Sequence, residues 1–385
     1  MKLNSIQLLR ALAALFVVYT HSIGQMGMFA IGWQQRIPLR TSLGTFGVDI
    51  FFVISGFIIF LSAGQLTGRK ASVSFLWHRF RRINPVYYVA VLITVLTWIP
   101  SFLRHQRAAI TTRQLLSWIV LAPFPGDPPG ALSQGWSLLY EWMFYWAFFL
   151  LILAGVRRKA AVLCGILGAL ALLGWLFRTR LTGVWVFYTD PLLLEFLMGV
   201  VIGFVFQRWN PGKVGALCLL VPGIALGLTI LLTGYGDFQA VLAPPASLRY
   251  LHAFYWGSAA ALLVAGCVFL EKCCPPAFFQ HQNFGPDLRP VLVRKSRFAQ
   301  LPLLLGDASY SIYLFHLIVF GLIGAFYLRT GFFLHPDLAI PIHAALAVAG
   351  SLLFYRFVEK PLLRWLKPTR PRPGEPPSPP RSVQP

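Results

Sequence analysis

Leu8-Leu9-Arg10-Ala11-Leu12-Ala13-Ala14-Leu15-Phe16-Val17-Val18-Tyr19-Thr20-His21 is apolar enough to enter a membrane, yet carries an arginine near one end and a histidine at the other. At 100° per residue, the eleven steps from Arg10 to His21 return to within about 20° of one helix face, about 16 Å apart along the axis. A charge inside a membrane span costs on the order of 2.5 kcal/mol or more, which makes a functional reading the default. The competing reading is an arginine snorkelling to the interface and a histidine satisfied by a neighbouring helix. The pairing of the two on one face weighs against it.

Composition extends this reading to the whole chain. Of its 385 residues, 57% are hydrophobic and 12% charged, against about 25% charged in ordinary soluble domains. The net charge of +21 invites a nucleic-acid reading. The basic residues, however, sit in short clusters between long apolar runs, the pattern that orients a membrane protein, so no nucleic-acid partner is expected. Apolar runs of spanning length fall near 6–23, 45–63, 83–100, 134–154, 160–177, 190–207, 214–232, 250–270, 307–327 and 338–357. The segment 113–122 is too short to span and reads as an interfacial or re-entrant piece. The fold expected is all-α: a polytopic membrane protein of about ten transmembrane helices.

Lysine and arginine counts orient it. With the N-terminus inside, 23 fall on inner segments and nine on outer loops, Arg10 left uncounted. That bias places both termini in the cytoplasm. The N-terminus faintly resembles a signal peptide, but Arg10 interrupts the apolar run and no small-residue cleavage site follows, so a retained first span is expected. Residues 1–367 then form one transmembrane domain, and 368–385, rich in proline, a disordered cytoplasmic tail. Cys164, Cys218, Cys267, Cys273 and Cys274 have neither zinc-like nor disulfide-like spacing, and no metal ligand set is read from them.

Orientation turns the sequence into a depth map. Arg10 lies toward the inner side and His21 near the outer end of span one. Asp49, in Gly47-Val48-Asp49-Ile50-Phe51-Phe52, is also near the outer end. Glu141, in Trp136-Ser137-Leu138-Leu139-Tyr140-Glu141, falls in the outer third. His21, Asp49 and Glu141 are therefore expected at one level, where a carboxylate can orient the imidazole as a general base; the bland alternative is that the acids cap or glue helices. His316 and Ser309 share a face of span nine, as a nucleophile–base pair or, more commonly, as a hydrogen-bonding stripe. In the inner loop Phe75–Pro85, Arg79 and Arg82 point the same way on a helix and suit phosphates, unless they serve only topology.

These motifs, in order, resemble the acyltransferase type 3 family of integral-membrane acyltransferases over about residues 5–365. Arg10 through His21 is similar to the family's Arg, ten residues, His signature, and 47–57 to its second-span motif. Arg79-Phe80-Arg81-Arg82-Ile83-Asn84-Pro85 resembles its basic motif, with His78 where an arginine is common. The Trp136-Ser137-Leu138 block with Glu141, the Ser309–His316 segment and Val358-Glu359-Lys360-Pro361 complete the set.

The resemblance implies transfer of an acyl group, most often acetyl, from cytoplasmic acyl-CoA to a hydroxyl of a cell-surface or exported glycan, by a multi-pass protein of the cell's inner membrane. Acyl-CoA is then a donor substrate, and no permanently bound cofactor is expected. Partners are the acceptor glycan, the bilayer and either a second copy of the chain or a polysaccharide-export protein. On this reading Arg79 and Arg82 hold the CoA phosphates, Arg10 either steers the donor or balances its charge, and His21 takes the hydroxyl proton with Glu141 or Asp49 behind it; an acyl-histidine is the rival route. A transporter or flippase that consumes no acyl donor is the alternative class.

Overall fold

The computed structural model describes residues 3–27, 42–103, 110–122, 132–233, 246–274 and 297–366. The expected tail and the loop arginines Arg36, Arg40, Arg104 and Arg107 lie outside them. Among the described residues the chain is helical, with no strand, and ten helical segments are long and apolar enough to cross a membrane. They coincide with the ten apolar runs. Leu92, Leu172, Leu232 and Leu328, which would be misplaced in water, are exposed on their outer faces, as expected of helices solvated by lipid.

The helices are α1 (Asn4–Gly27), α2 (Ser42–Ala63), α3 (Arg69–Leu103), α4 (Thr112–Val120), α5 (Trp136–Leu153), α6 (Lys159–Leu176), α7 (Val184–Tyr188), α8 (Leu193–Arg208), α9 (Gly212–Thr233), α10 (Ala246–Cys273), α11 (Arg297–Asp307), α12 (Ser309–Thr330), α13 (Pro336–Phe354) and α14 (Lys360–Trp365). A 3₁₀ turn at Ser133–Gly135 leads into α5, and a π turn at Tyr355–Glu359 joins α13 to α14.

Backbone-to-backbone packing sets the centre of the bundle. A Cβ built on Gly56 of α2 would lie 2.0 Å from the Phe196 carbonyl oxygen, and one on Gly199 of α8 would lie 2.1 Å from that of Val53. Only glycine permits this approach, which replaces the hydrophobic drive that lipid does not supply between helices. Gly56 faces residues 196–199 and Phe60 faces Gly203, so α2 and α8 run in the same direction. The second and sixth of a series of alternating spans must do so. Phe196 completes the joint, its ring 4.5 Å from that of Phe52 and 4.9 Å from that of Phe144.

The start of α1 is held from outside its own sequence. The first backbone N–H groups of a helix lack partners. Here Glu271, near the end of α10, accepts from Asn4 N–H at 2.9 Å and Ser5 N–H at 2.8 Å. That cap fixes the axial position of the helix bearing Arg10 and His21.

Two elements depart from expectation. The basic segment 75–85 is not a loop but part of α3, whose 35 residues extend about 52 Å, well beyond an apolar core of about 30 Å. Residues 69–84 contain no proline or glycine to interrupt them, so the helix starts before the apolar run. The sixth span is broken between α7 and α8, where Pro191 cannot donate and the Asp190 side chain accepts from Leu192 N–H at 3.0 Å. The short piece at 113–122 is α4, lying against α3 through Tyr88 hydroxyl to Ile119 carbonyl, 2.7 Å, and Trp98–Trp118 ring packing.

Candidate active site

α1 and α12 cross with two polar rungs between them. Arg10 Nε donates to Ser309 Oγ at 3.0 Å, and His316 Nε2 lies 3.2 Å from His21 Nδ1. Ser309 and His316 thus form the hydrogen-bonding stripe of the two sequence readings. Serine here meets a guanidinium, not an imidazole.

The hydrogen bonds of the histidine pair assign its protons. His316 Nδ1 is 2.9 Å from the Ile312 carbonyl oxygen, which only an N–H can satisfy, so in the neutral ring Nε2 carries the lone pair. That lone pair faces His21 Nδ1, which is also 2.9 Å from the Val17 carbonyl oxygen. Both neighbours of His21 Nδ1 are acceptors, so Nδ1 carries the proton and Nε2 is the basic nitrogen. His316 is completely buried and His21 half-buried. His316 therefore occupies the place that sequence reading gave to a carboxylate.

Neither carboxylate stands there. Asp49 is buried against His252, its Oδ1 3.2 Å from Nε2, and Glu195 completes a separate cluster. Asp49 is not level with His21. α1 and α2 run antiparallel, with Gly44 against Thr20 and Gly47 against Ala13 and Val17, so Asp49 lies more than one turn deeper, and it faces Glu195 of α8 and His252 of α10. Glu141 accepts hydrogen bonds from Tyr145 and, at 3.2 Å, from Ser55. It lines the cavity of Arg10, Arg79 and Arg82. Because α5 begins only after the buried turn Leu132–Gly135, Glu141 sits deeper than an apolar-run boundary suggests.

That cavity measures about 630 Å³ and lies between α1, α2, α3, α5, α12 and the C-terminal turn and helix. Five basic side chains line it, Arg10, Arg79, Arg82, Lys360 and Arg364, against three acidic ones, Glu141, Asp307 and Glu359. The Arg79 guanidinium donates to Ser62 Oγ at 2.8 Å and stacks over Phe75 and Tyr145, at 5.3 and 5.6 Å to the ring centroids. Arg82, Lys360 and Arg364 have no hydrogen-bond or ion-pair partner among the described residues, so their charge is available to a ligand. Arg81, from the same basic run, instead donates to the Leu366 carbonyl at 2.7 Å and tethers the end of α14.

Lys360, Arg364 and Glu359 reach the cavity through the π turn. Pro361 has no N–H to return to the Phe357 carbonyl, so the regular ladder fails. The Lys360 N–H bonds instead to the Tyr355 carbonyl, five residues back. The widened turn brings Glu359 inward, where it accepts from Ser311 Oγ. Sequence reading did not assign these three as site residues; the available signal was a proline placed four residues after Phe357 within an otherwise helical segment.

Tyr313 is common to the cavity and the histidines. It lines the cavity, and its ring centroid is 6.4 Å from that of His316. Its hydroxyl donates to the Gln134 carbonyl at 2.9 Å and accepts from Ser137 Oγ at 2.7 Å. The Trp-Ser-Leu stretch at 136–138 thereby holds the wall between the two.

Ten spanning helices around a cation-lined cavity, with a paired imidazole beside it, define a polytopic membrane protein with a polar interior site. The acyltransferase-domain family model (Acyl_transf_3) matches residues 3–356, and the chain belongs to that family. Exopolysaccharide production protein ExoZ of Rhizobium meliloti is 30% identical over 334 residues, covering 84% of this chain and 90% of that protein. Acyltransferase MdmB of Streptomyces mycarofaciens is 28% identical, over 96% of this chain and 94% of its own length. Peptidoglycan O-acetyltransferase OatA of Listeria monocytogenes is 27% identical over 81% of this chain; the match spans 48% of that relative. No solved structure matches the chain.

Proposed function

We propose that the protein moves an acyl group, acetyl in the simplest case, from cytoplasmic acyl-CoA to a hydroxyl of a cell-surface or exported glycan in the inner membrane. The observation that carries this reading is the cavity with five basic side chains, separated by Tyr313 from a histidine whose Nε2 is left basic. The names of ExoZ and OatA, an exopolysaccharide production protein and a peptidoglycan O-acetyltransferase, support a glycan acceptor and an acetyl group.

Arg79, Arg82, Lys360 and Arg364 hold the donor's phosphates, since guanidinium and ammonium groups grouped at one mouth suit multiply charged phosphate. The pantetheine arm runs past Arg10 and Tyr313 toward His21. The sugar hydroxyl attacks the thioester carbonyl, forming a C–O bond as the C–S bond breaks. His21 Nε2 takes the hydroxyl proton and returns it to the departing thiolate, giving CoA as free thiol. The charge gained by His21 is shared through Nδ1–H with the His316 lone pair. General acid–base assistance of this kind is worth about 10²- to 10⁴-fold.

Purified protein in lipid, given acetyl-CoA and a glycan acceptor, should release free CoA in step with ester formed. A transporter would turn over with no CoA release. Stoichiometric release that needs the acceptor supports the transferase; acceptor movement without any thioester consumption overturns it.

A further inference from the structure

Outside the cavity just described, Asp49 of α2, Glu195 of α8 and His252 of α10 meet in the interior of the bundle. Each offers one ligand atom, and these atoms lie within 4.8 Å of one another. The three residues are 1%, 0% and 4% exposed. Both oxygens of Glu195, Oδ2 of Asp49 and Nδ1 of His252 have no hydrogen-bond partner. No lysine or arginine among the described residues pairs with either acid; Arg249, one turn before His252, is committed to Asp190 at 2.9 Å.

Two carboxylates cannot remain together in a membrane interior as bare anions, because nothing replaces their hydration. A proton shared between them or a bound cation must compensate the pair, and the orphaned Nδ1 and carboxylate oxygens favour the cation. Two carboxylates and one imidazole neutralise a divalent ion, and this mixed oxygen and nitrogen set suits a transition metal such as Zn²⁺ or Mn²⁺ better than the all-oxygen sites of Mg²⁺ or Ca²⁺. The surrounding glycines make room for it. Gly257 of α10 leaves the Glu195 side chain in place, where an added Cβ would lie 3.0 Å from its Cγ, and the Gly56–Gly199 approach brings Asp49 and Glu195 to facing positions two turns and one turn away. His252 also forms part of the wall of a second cavity, about 200 Å³ in volume, with Tyr140 and Asp190. That cavity reaches the cluster from the His252 side, while Asp49 and Glu195 lie behind its wall.

We propose that Asp49, Glu195 and His252 form a binding site for a divalent transition-metal ion that ties α2, α8 and α10 together. The site is separate from the histidine pair, and its existence does not depend on the transfer reaction.

Elemental analysis of the detergent-purified full chain tests it. Stoichiometric Zn²⁺ or Mn²⁺ is expected in the wild type. Glu195→Gln and His252→Ala should each weaken affinity by about 100-fold or more, beyond the 10- to 100-fold loss typical of an outer-shell partner. Chelation should lower the wild-type melting temperature, and added ZnCl₂ or MnCl₂ should restore it, while Glu195→Gln responds to neither. Because Glu195→Gln keeps the side chain's shape, it serves where the truncation fails to fold. A metal-free wild type whose melting temperature ignores both ions overturns the site, as does a Glu195→Gln protein that keeps its metal. A metal-free wild type less stable than Glu195→Gln also overturns it, in favour of a proton shared between the two acids.

Discussion

His316 Nε2 stands 3.2 Å from His21 Nδ1, and it reaches there with its own proton committed to the Ile312 carbonyl. One imidazole orients another, where a carboxylate would be the commoner choice. Within a membrane this avoids burying a further charge, at the cost of a weaker hold on the imidazolium formed in the reaction.

Replacing His21 with Ala should therefore remove about 10²-fold or more of the acyl transfer, while the protein still inserts and retains its donor affinity. His316→Ala should lower kcat less, and the double variant little more than His21→Ala, because two residues acting as one unit are not additive. Initial rates of CoA release on the four proteins measure this. A full loss in His316→Ala with normal turnover in His21→Ala would reverse their roles.

The basic mouth predicts a split between KM and kcat. Arg82→Ala together with Arg364→Ala should raise KM for acetyl-CoA about 100-fold, each charge-assisted contact being worth roughly 1.5 kcal/mol, or about tenfold, with kcat nearly unchanged. The effect should shrink as salt rises, since exposed charges are screened beyond about 8 Å at physiological ionic strength. Titration of donor binding across a salt series checks both points, and unchanged donor affinity would return the cluster to simple topology.

Pro361→Ala returns an N–H to the C-terminal turn and lets the regular ladder close on Phe357. The π turn should then tighten and draw Glu359 away from Ser311. The expected outcome is a several-fold rise in donor KM in a protein that is otherwise stable. Thermal melting beside steady-state kinetics separates this from general destabilisation.

Gly56→Ala and Gly199→Ala each place a methyl group against a backbone carbonyl. Neither helix can yield without moving the other, so each should destabilise by about 1–3 kcal/mol. Gly165→Ala, whose added Cβ meets nothing within 4 Å, should be neutral or mildly stabilising. Glu271→Ala, which uncaps α1, should cost about 1 kcal/mol. Detergent-dilution melting curves of the four variants test the order.

Membrane class, the ten spans and the line of Arg10 with His21 were all legible in the sequence, because hydropathy and the 3.6-residue period act within one helix and need no knowledge of its neighbours. The same local logic put Arg79 and Arg82 on one face. What lies behind His21 was not legible. Neither the exact depth of a side chain nor its rotation about the bundle axis can be counted along one helix, and Asp49 lies more than a turn deeper than His21 and faces α8 and α10. Only the packing of glycines on α2 and α8, and of Ser309 and His316 against α1, decided that a histidine stands beside His21 while two acids meet elsewhere. Those contacts join residues up to 299 positions apart, and their angles depend on how closely backbones can approach, which is a property of pairs of helices and not of any one of them.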